Sequence, residues 1–151
     1  MSTTSDRAEI IELIGNYATI SDRREFTTLP ARTFTDEVTV DFSSVAGMPE
    51  MTVPLSAYVE SLSGAFSAFK ATHHAITGHV VEIDGDTASV RAHVRAEHWY
   101  PDEAGVPRWL VVGFYDNEAV RTPAGWRLSR VKLTAVHQEN APRPAGLLAG
   151  E

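Results

Sequence analysis

THHAITGHVVEIDGDTASVRAHVRAEHWY, residues 72–100, is the stretch that decides the fold. Two β-rich runs flank Asp84-Gly85-Asp86, a turn signal between alternating segments, so a hairpin is predicted from about Thr72 to Ile83 and from Thr87 to Tyr100. Side chains of a strand alternate between faces. On the second strand one face carries Ala88, Val90, Ala92, Val94, Ala96, His98 and Tyr100, and the other Ser89, Arg91, His93, Arg95, Glu97 and Trp99. The apolar, small-residue face points inward and takes His98 with it, while His93 stands among solvated charges. On the first strand, facing depends on the loop. A three-residue turn pairs Ile83 with Thr87, His74 with Ala96 and Thr72 with His98, so that His74, Ile76, Gly78 and Val80 share the inward face. A two-residue turn would instead bring His73 and His79 inward. The three-residue register is preferred, because the row of small residues leaves room for a ligand. In that register His74 and His98 are diagonal neighbours, with Cα atoms roughly 7–8 Å apart.

The rest of the chain falls into place around this hairpin. Downstream, Arg108 to Val120 and Trp126 to about Val136 read as two further strands, joined through Thr122-Pro123-Ala124-Gly125 and preceded by a polar loop over Pro101 to Pro107. Upstream, Ile10, Leu13, Ile14 and Tyr17 recur at helical spacing over Ile10 to Ile20, with Ser5 or Asp6 as a cap and Glu9 completing a capping box. A second helix is predicted over Glu25 to Arg32, a strand over Val38 to Phe42, a loop through Gly47, Pro49 and Pro54, and a third helix over Leu55 to Phe69. Helices first and an antiparallel meander second is the order of an α+β fold. Residues 1–137 form one domain, and 138–151, with Pro142, Pro144, Gly146 and Gly150, an irregular tail.

Composition narrows the function classes. The 151 residues carry 13 Lys+Arg against 20 Asp+Glu, a net charge of −7, and 43% hydrophobic residues. A chain of that length buries about 68–70% of its unfolded surface without a metal or disulfide staple. With zero cysteines, disulfides, thiolate metal sites and Cys nucleophiles drop out. The acidic balance argues against nucleic-acid and anionic-membrane partners, and no apolar run approaches a membrane span. The polar start lacks a signal-peptide layout, so a cytoplasmic location is expected.

His74 and His98 are therefore the candidate chemical groups, against the ordinary alternative of core histidines satisfied by a hydroxyl or carbonyl. No HxH or HExxH spacing is present, and no metal or other cofactor is expected. Asp22 follows the first helix, where the macrodipole disfavours a carboxylate. It can serve as N-cap of the next helix, since Asp22 and Glu25 have capping-box spacing, or it can project into the cavity and fix the tautomer of a histidine. Tyr17, on the apolar stripe, either packs against the sheet or adds a phenolic donor.

Tyr17…Asp22, Thr72-His73-His74-Ala75-Ile76, the Glu82–Ala88 hairpin, His98 and Gly125-Trp126-Arg127 together resemble the nuclear-transport-factor-2-like superfamily, and within it the SnoaL-like branch that includes scytalone dehydratase. The likeness spans about Arg7 to Val136. It implies a cone: a curved antiparallel sheet wrapped around N-terminal helices, with one deep pocket. It further implies that Asp22 and His74 match the catalytic Asp and His of the dehydratase-like branch and that His98 matches its second active-site histidine. Tyr17 stands where some bile-acid dehydratase relatives carry an active-site tyrosine. Two carbonyl-polarising tyrosines of the dehydratase are Ser21 and Phe42 here. The resemblance thus implies a cofactor-independent lyase or isomerase acting on a small, largely apolar organic molecule, with His74 as base, Asp22 orienting it and His98 donating a proton. A polyketide or polyether cyclase or epoxide-opening enzyme, and a non-catalytic binding or assembly module, are the alternatives the fold also hosts. A homodimer or homotrimer is expected by the same resemblance.

Overall fold

The computed structural model describes residues 3–142. Helix α1 spans Thr3–Arg23, α2 Leu29–Thr33, α3 Ser43–Ala46 and α4 Leu55–Phe66; strands are β1 Phe34–Asp41, β2 Met51–Pro54, β3 Ala71–Asp84, β4 Thr87–Trp99, β5 Arg108–Thr122 and β6 Gly125–Glu139. The six strands form one sheet in the order β2-β1-β6-β5-β4-β3. The α+β class holds, and the helices pack on the sheet's inner face. The expectation of a wholly antiparallel sheet is corrected at one pair, since β1 runs parallel to β6 while the remaining neighbours are antiparallel.

Helix α1 is longer than its apolar stripe suggests. Ile10, Leu13, Ile14, Tyr17 and Ile20 are buried at i, i+3, i+4 spacing against the sheet. Each such side chain contributes about 1.5–3 kcal/mol relative to exposure. Asp6 is not a cap but a buried residue within the helix: its carboxylate accepts from both terminal nitrogens of Arg121 (2.8 and 3.1 Å) and from Trp126 Nε1 (3.1 Å). The bidentate hydrogen bonds from Arg121, with that of Trp126, hold the Asp6 carboxyl down at about 2. This clamp ties α1 to β5 and β6. The helix expected over Glu25 to Arg32 shrinks to α2, because Arg24 takes φ 57 and Glu25 instead turns back to accept from Thr27 and Thr28. The segment expected as a loop through Gly47 and Pro54 contains α3 and β2, and α4 ends at Phe66 rather than Phe69. Strand β6 continues through Gln138 and Glu139, so those two residues leave the expected tail; residues 143–151 of that tail lie outside the described residues.

The hairpin registers as expected where it matters, by an unexpected route. His74 pairs with Ala96 and Thr72 with His98. Yet Asp84 pairs with Thr87, so the turn has two residues, and the register is restored by a bulge: Thr77 pairs with His93 and Val80 with Arg91, leaving Gly78 and His79 opposite Ala92 alone. Gly78 sits at φ 65, the left-handed conformation that such a bulge requires and glycine tolerates. Beyond the bulge the facing reverses, so Val81 is buried and Val80, expected inward, is 45% exposed. The bulge is what sends His74 inward. A β-carbon at position 78 would also meet the His93 ring at 3.0 Å. Gly78→Ala is therefore expected to lower unfolding free energy by about 1–2 kcal/mol in urea melts. An unchanged midpoint would contradict the bulge.

Candidate active site

The site is assembled where the last turn of α1 meets the start of β3. Because α1 continues to Arg23, Asp22 is part of it and does not cap the next helix. Its Oδ1 lies 2.7 Å from His74 Nδ1 and accepts the Thr72 hydroxyl at 3.0 Å, while Oδ2 accepts the His74 backbone N–H at 2.7 Å. Three donors thus offset the cost of a carboxylate at a helix C-terminus. Burial pushes the Asp22 carboxyl up, but the hydrogen bond and charge of His74, its backbone N–H and the Thr72 hydroxyl outweigh it, leaving the group below its ordinary value. A carboxylate only accepts, so His74 carries its hydrogen on Nδ1, and in the neutral ring Nε2 keeps the lone pair.

His98, 4% exposed, stands edge-to-face with His74 at 5.4 Å and is layered between Trp109 (4.4 Å) and Phe66 (6.0 Å), with Phe69 tilted beside it at 5.2 Å. Its Nδ1 lies 3.3 Å from the Trp109 carbonyl, which can only accept, so this ring too bears its hydrogen on Nδ1. Burial drives its pKa down to about 4, with the neighbouring His74 adding to the fall. With Nδ1 turned to that carbonyl and the ring held neutral by burial, Nε2 carries the lone pair near neutral pH.

Tyr17 is buried and its hydroxyl lies 2.7 Å from that of Tyr58; the Tyr115 ring is 5.8 Å from that of Tyr17. Burial raises the pKa of all three phenols, which keeps them protonated and able to donate. His74, His98, Phe66, Trp109 and the three tyrosines line one cavity of about 340 Å³ between α4, β2 and the inner sheet face. Its walls include Val40, Phe42, Leu62, Val94, Val111 and Leu133, and among the described residues no Asp, Glu, Lys or Arg lines it. Among the described residues no group of three or more His, Cys, Asp and Glu converges to hold a metal, and no helix is long and apolar enough to cross a membrane.

The structure thus brings Asp22, His74, His98 and Tyr17 to one place. Sequence reasoning missed Tyr58, Tyr115 and Arg24. Tyr58 is in phase with Leu62 and Phe66, the buried stripe of α4, and Tyr115 shares the inward alternation of β5, so periodicity held both signals. Arg24 gave none, because its position follows from a left-handed residue. Its guanidinium donates to the Ser21 carbonyl, to Thr72 Oγ1 (2.8 Å) and to the Phe66 carbonyl (3.3 Å), and sits over the Phe66 ring at 5.3 Å. Thr72 Oγ1 accepts from Arg24 and so turns its own proton toward Asp22.

The low pKa of His98 has a consequence for stability. Unfolded, the group has an ordinary value of 6.5; folded, about 4. Between those values the unfolded chain binds more protons, so the His98 contribution is complete above about pH 6.5 and is lost as pH falls toward 4. Thermal unfolding at pH 7 and pH 4.5 is expected to show a larger drop in wild type than in His98→Phe. Equal drops would contradict a buried neutral imidazole.

With the geometry in view, comparison with known proteins is informative. Residues 2–132 match the SnoaL-like domain family. The uncharacterized protein Rv2910c of Mycobacterium tuberculosis is 31% identical over 136 residues, 89% of this chain and 88% of that one. The crystal structure of Kfla4162 from Kribbella flavida is 66% identical and superposes with a TM-score of 0.91, covering 93% of this chain and 97% of the other. More distant structures share the fold, among them a scytalone dehydratase-like protein of Novosphingobium aromaticivorans (TM-score 0.75, 23% identity, 93% of each chain) and a hexachlorocyclohexane dehydrochlorinase (TM-score 0.75, 18% identity, 95% and 97%). The chain belongs to the SnoaL-like domain family, of nuclear-transport-factor-2-like fold.

Proposed function

We propose that the protein is a cofactor-independent lyase or isomerase acting on a small, largely apolar organic molecule, with the Asp22–His74 pair as its base. One observation carries the reading: an acceptor-only carboxylate holds His74 Nδ1–H at 2.7 Å, which leaves Nε2 as a base facing an apolar cavity. His74 Nε2 would take a proton from carbon next to a carbonyl or a leaving group, and Asp22 would stabilise the imidazolium that forms. The imidazolium would then return the proton, to a departing hydroxyl in an elimination of water or to another carbon in an isomerisation. The hydroxyls of Tyr17, Tyr58 and Tyr115 bond to one another, and the hydrogen left over in that chain would be donated to the substrate oxygen as charge develops there, a role suited to buried phenols. The dehydratase and dehydrochlorinase among the proteins of like fold support the reaction class, and the fold by itself does not choose within it.

The base can be tested without the natural substrate. 5-Nitrobenzisoxazole is a neutral aromatic probe that opens when a base removes one proton from carbon. Wild type is expected to accelerate its opening, and His74→Gln or Asp22→Asn to lower that rate by about 10²–10⁴-fold. Rates unchanged in both variants would remove His74 as the base. Assembly as a homodimer or homotrimer through the outer sheet face, where Val80 and Phe114 are exposed, belongs to the same proposal. Light scattering at micromolar concentration is expected to give a multiple of 16.5 kDa, and a monomer would contradict it.

A further inference from the structure

We propose that His98 is a ligand-reading group that accepts a hydrogen bond through Nε2, so that the cavity selects a neutral ring compound bearing a hydroxyl over its ether or hydrocarbon counterpart. This rests on the reading of the cavity as a small-molecule site, but it assigns His98 a role separate from the base and names the ligand class.

A neutral imidazole has one N–H. In His98 that hydrogen is directed by the Trp109 carbonyl 3.3 Å from Nδ1, and a half-turn of the ring within its stack on Trp109 and Phe66 would forfeit that bond. Nε2 is left with a lone pair and makes no hydrogen bond to any described residue, although His98 lines the cavity. A neutral His74 cannot supply the missing donor, since its one hydrogen is committed to Asp22 at 2.7 Å. Among the described residues no Lys or Arg lines the cavity either. An acceptor in an apolar cavity with no protein donor is unfavourable unless the ligand brings one, and leaving it unpaired penalises a ligand that does not. Because no carboxylate among the described residues lines the cavity, an ammonium would bring an uncompensated charge, so the donor is a neutral group, of which a hydroxyl is the smallest. Trp109 and Phe66, which line the cavity beside His98, suit a ring as its carrier. The tyrosine hydroxyls supply donors elsewhere in the same cavity, so the two ends ask for complementary groups on one molecule.

The test compares 2-naphthol with 2-methoxynaphthalene, which differ in the donor but share the ring, by calorimetric titration at pH 7.5. Wild type is expected to bind 2-naphthol about five- to tenfold more tightly, the effect of one buried hydrogen bond. His98→Phe, which keeps the aromatic stack, is expected to remove the preference. A preference that persists in His98→Phe and is lost in His74→Phe would overturn the assignment, as would equal affinities in wild type. If His98→Phe fails to fold or neither ligand binds, long-range proton–nitrogen NMR of wild type decides the question: hydrogen on Nδ1 of His98 is expected, and hydrogen on Nε2 overturns the proposal. These readouts are independent of the base, because neither binding nor the tautomer requires turnover. Equal affinities in wild type with an intact 5-nitrobenzisoxazole rate would sink this inference alone, and a naphthol preference without that rate would sink only the base.

Discussion

The contact between Asp22 and His74 joins the two halves of the molecule. A carboxylate in the last turn of a helix opposes the macrodipole, and a residue there is ordinarily better served by a cation. Asp22 is held because β3 offers it a backbone N–H, a ring N–H and a hydroxyl at once, at 2.7 to 3.0 Å. Arg24 closes the arrangement from behind: by donating to Thr72 it fixes which way the threonine hydroxyl points. The helix end, the first turn of β3 and the C-terminal end of α4, through the Phe66 carbonyl and ring, are thus locked by one polar cluster. The far end of α1 is locked by another, built on Asp6, Arg121 and Trp126. With both ends fixed, the apolar stripe of α1 has a single way to lie on the sheet.

Everything at the site then depends on a strand register that is set by one glycine. The two-residue turn at Gly85-Asp86, left to itself, would have brought His73 inward. The bulge at Gly78 and His79 undoes that shift before the strand reaches Asp22. The expected pairing of His74 with Ala96 was therefore right for a wrong reason, because two departures, in the turn and at the bulge, cancel. An isolated glycine in a strand is a bulge signal, so the information was present in Gly78 and was read instead as space in the cavity.

Other parts of the fold were legible to different degrees, for physical reasons. Strand β4 was clear because its alternation of small apolar and charged residues is unbroken from Ala88 to His98. Helices α2 and α3 and strand β2 have five residues or fewer, too few for a period to show, and they are held by tertiary contacts instead. The parallel pairing of β1 with β6 joins residues some ninety positions apart, which no local pattern encodes. Within the site, Asp22, His74, His98 and Tyr17 could be singled out by residue type and facing. The protonation pattern of His98 could not, since it is decided by a backbone carbonyl whose position only the folded chain defines.

The cavity that results divides its polar work among few groups on otherwise apolar walls: a base at His74, an acceptor at His98, donors at the tyrosines. That division rests on Asp22 holding the hydrogen of His74 on Nδ1. The most direct measurement is the proton NMR spectrum of wild type, where the hydrogen of a ring nitrogen 2.7 Å from a carboxylate oxygen gives a resonance far downfield of the amides. The account predicts such a resonance, coupled to His74 Nδ1 and absent in Asp22→Asn. A hydrogen found on Nε2 of His74, or a downfield resonance that survives the loss of the carboxylate, would contradict it.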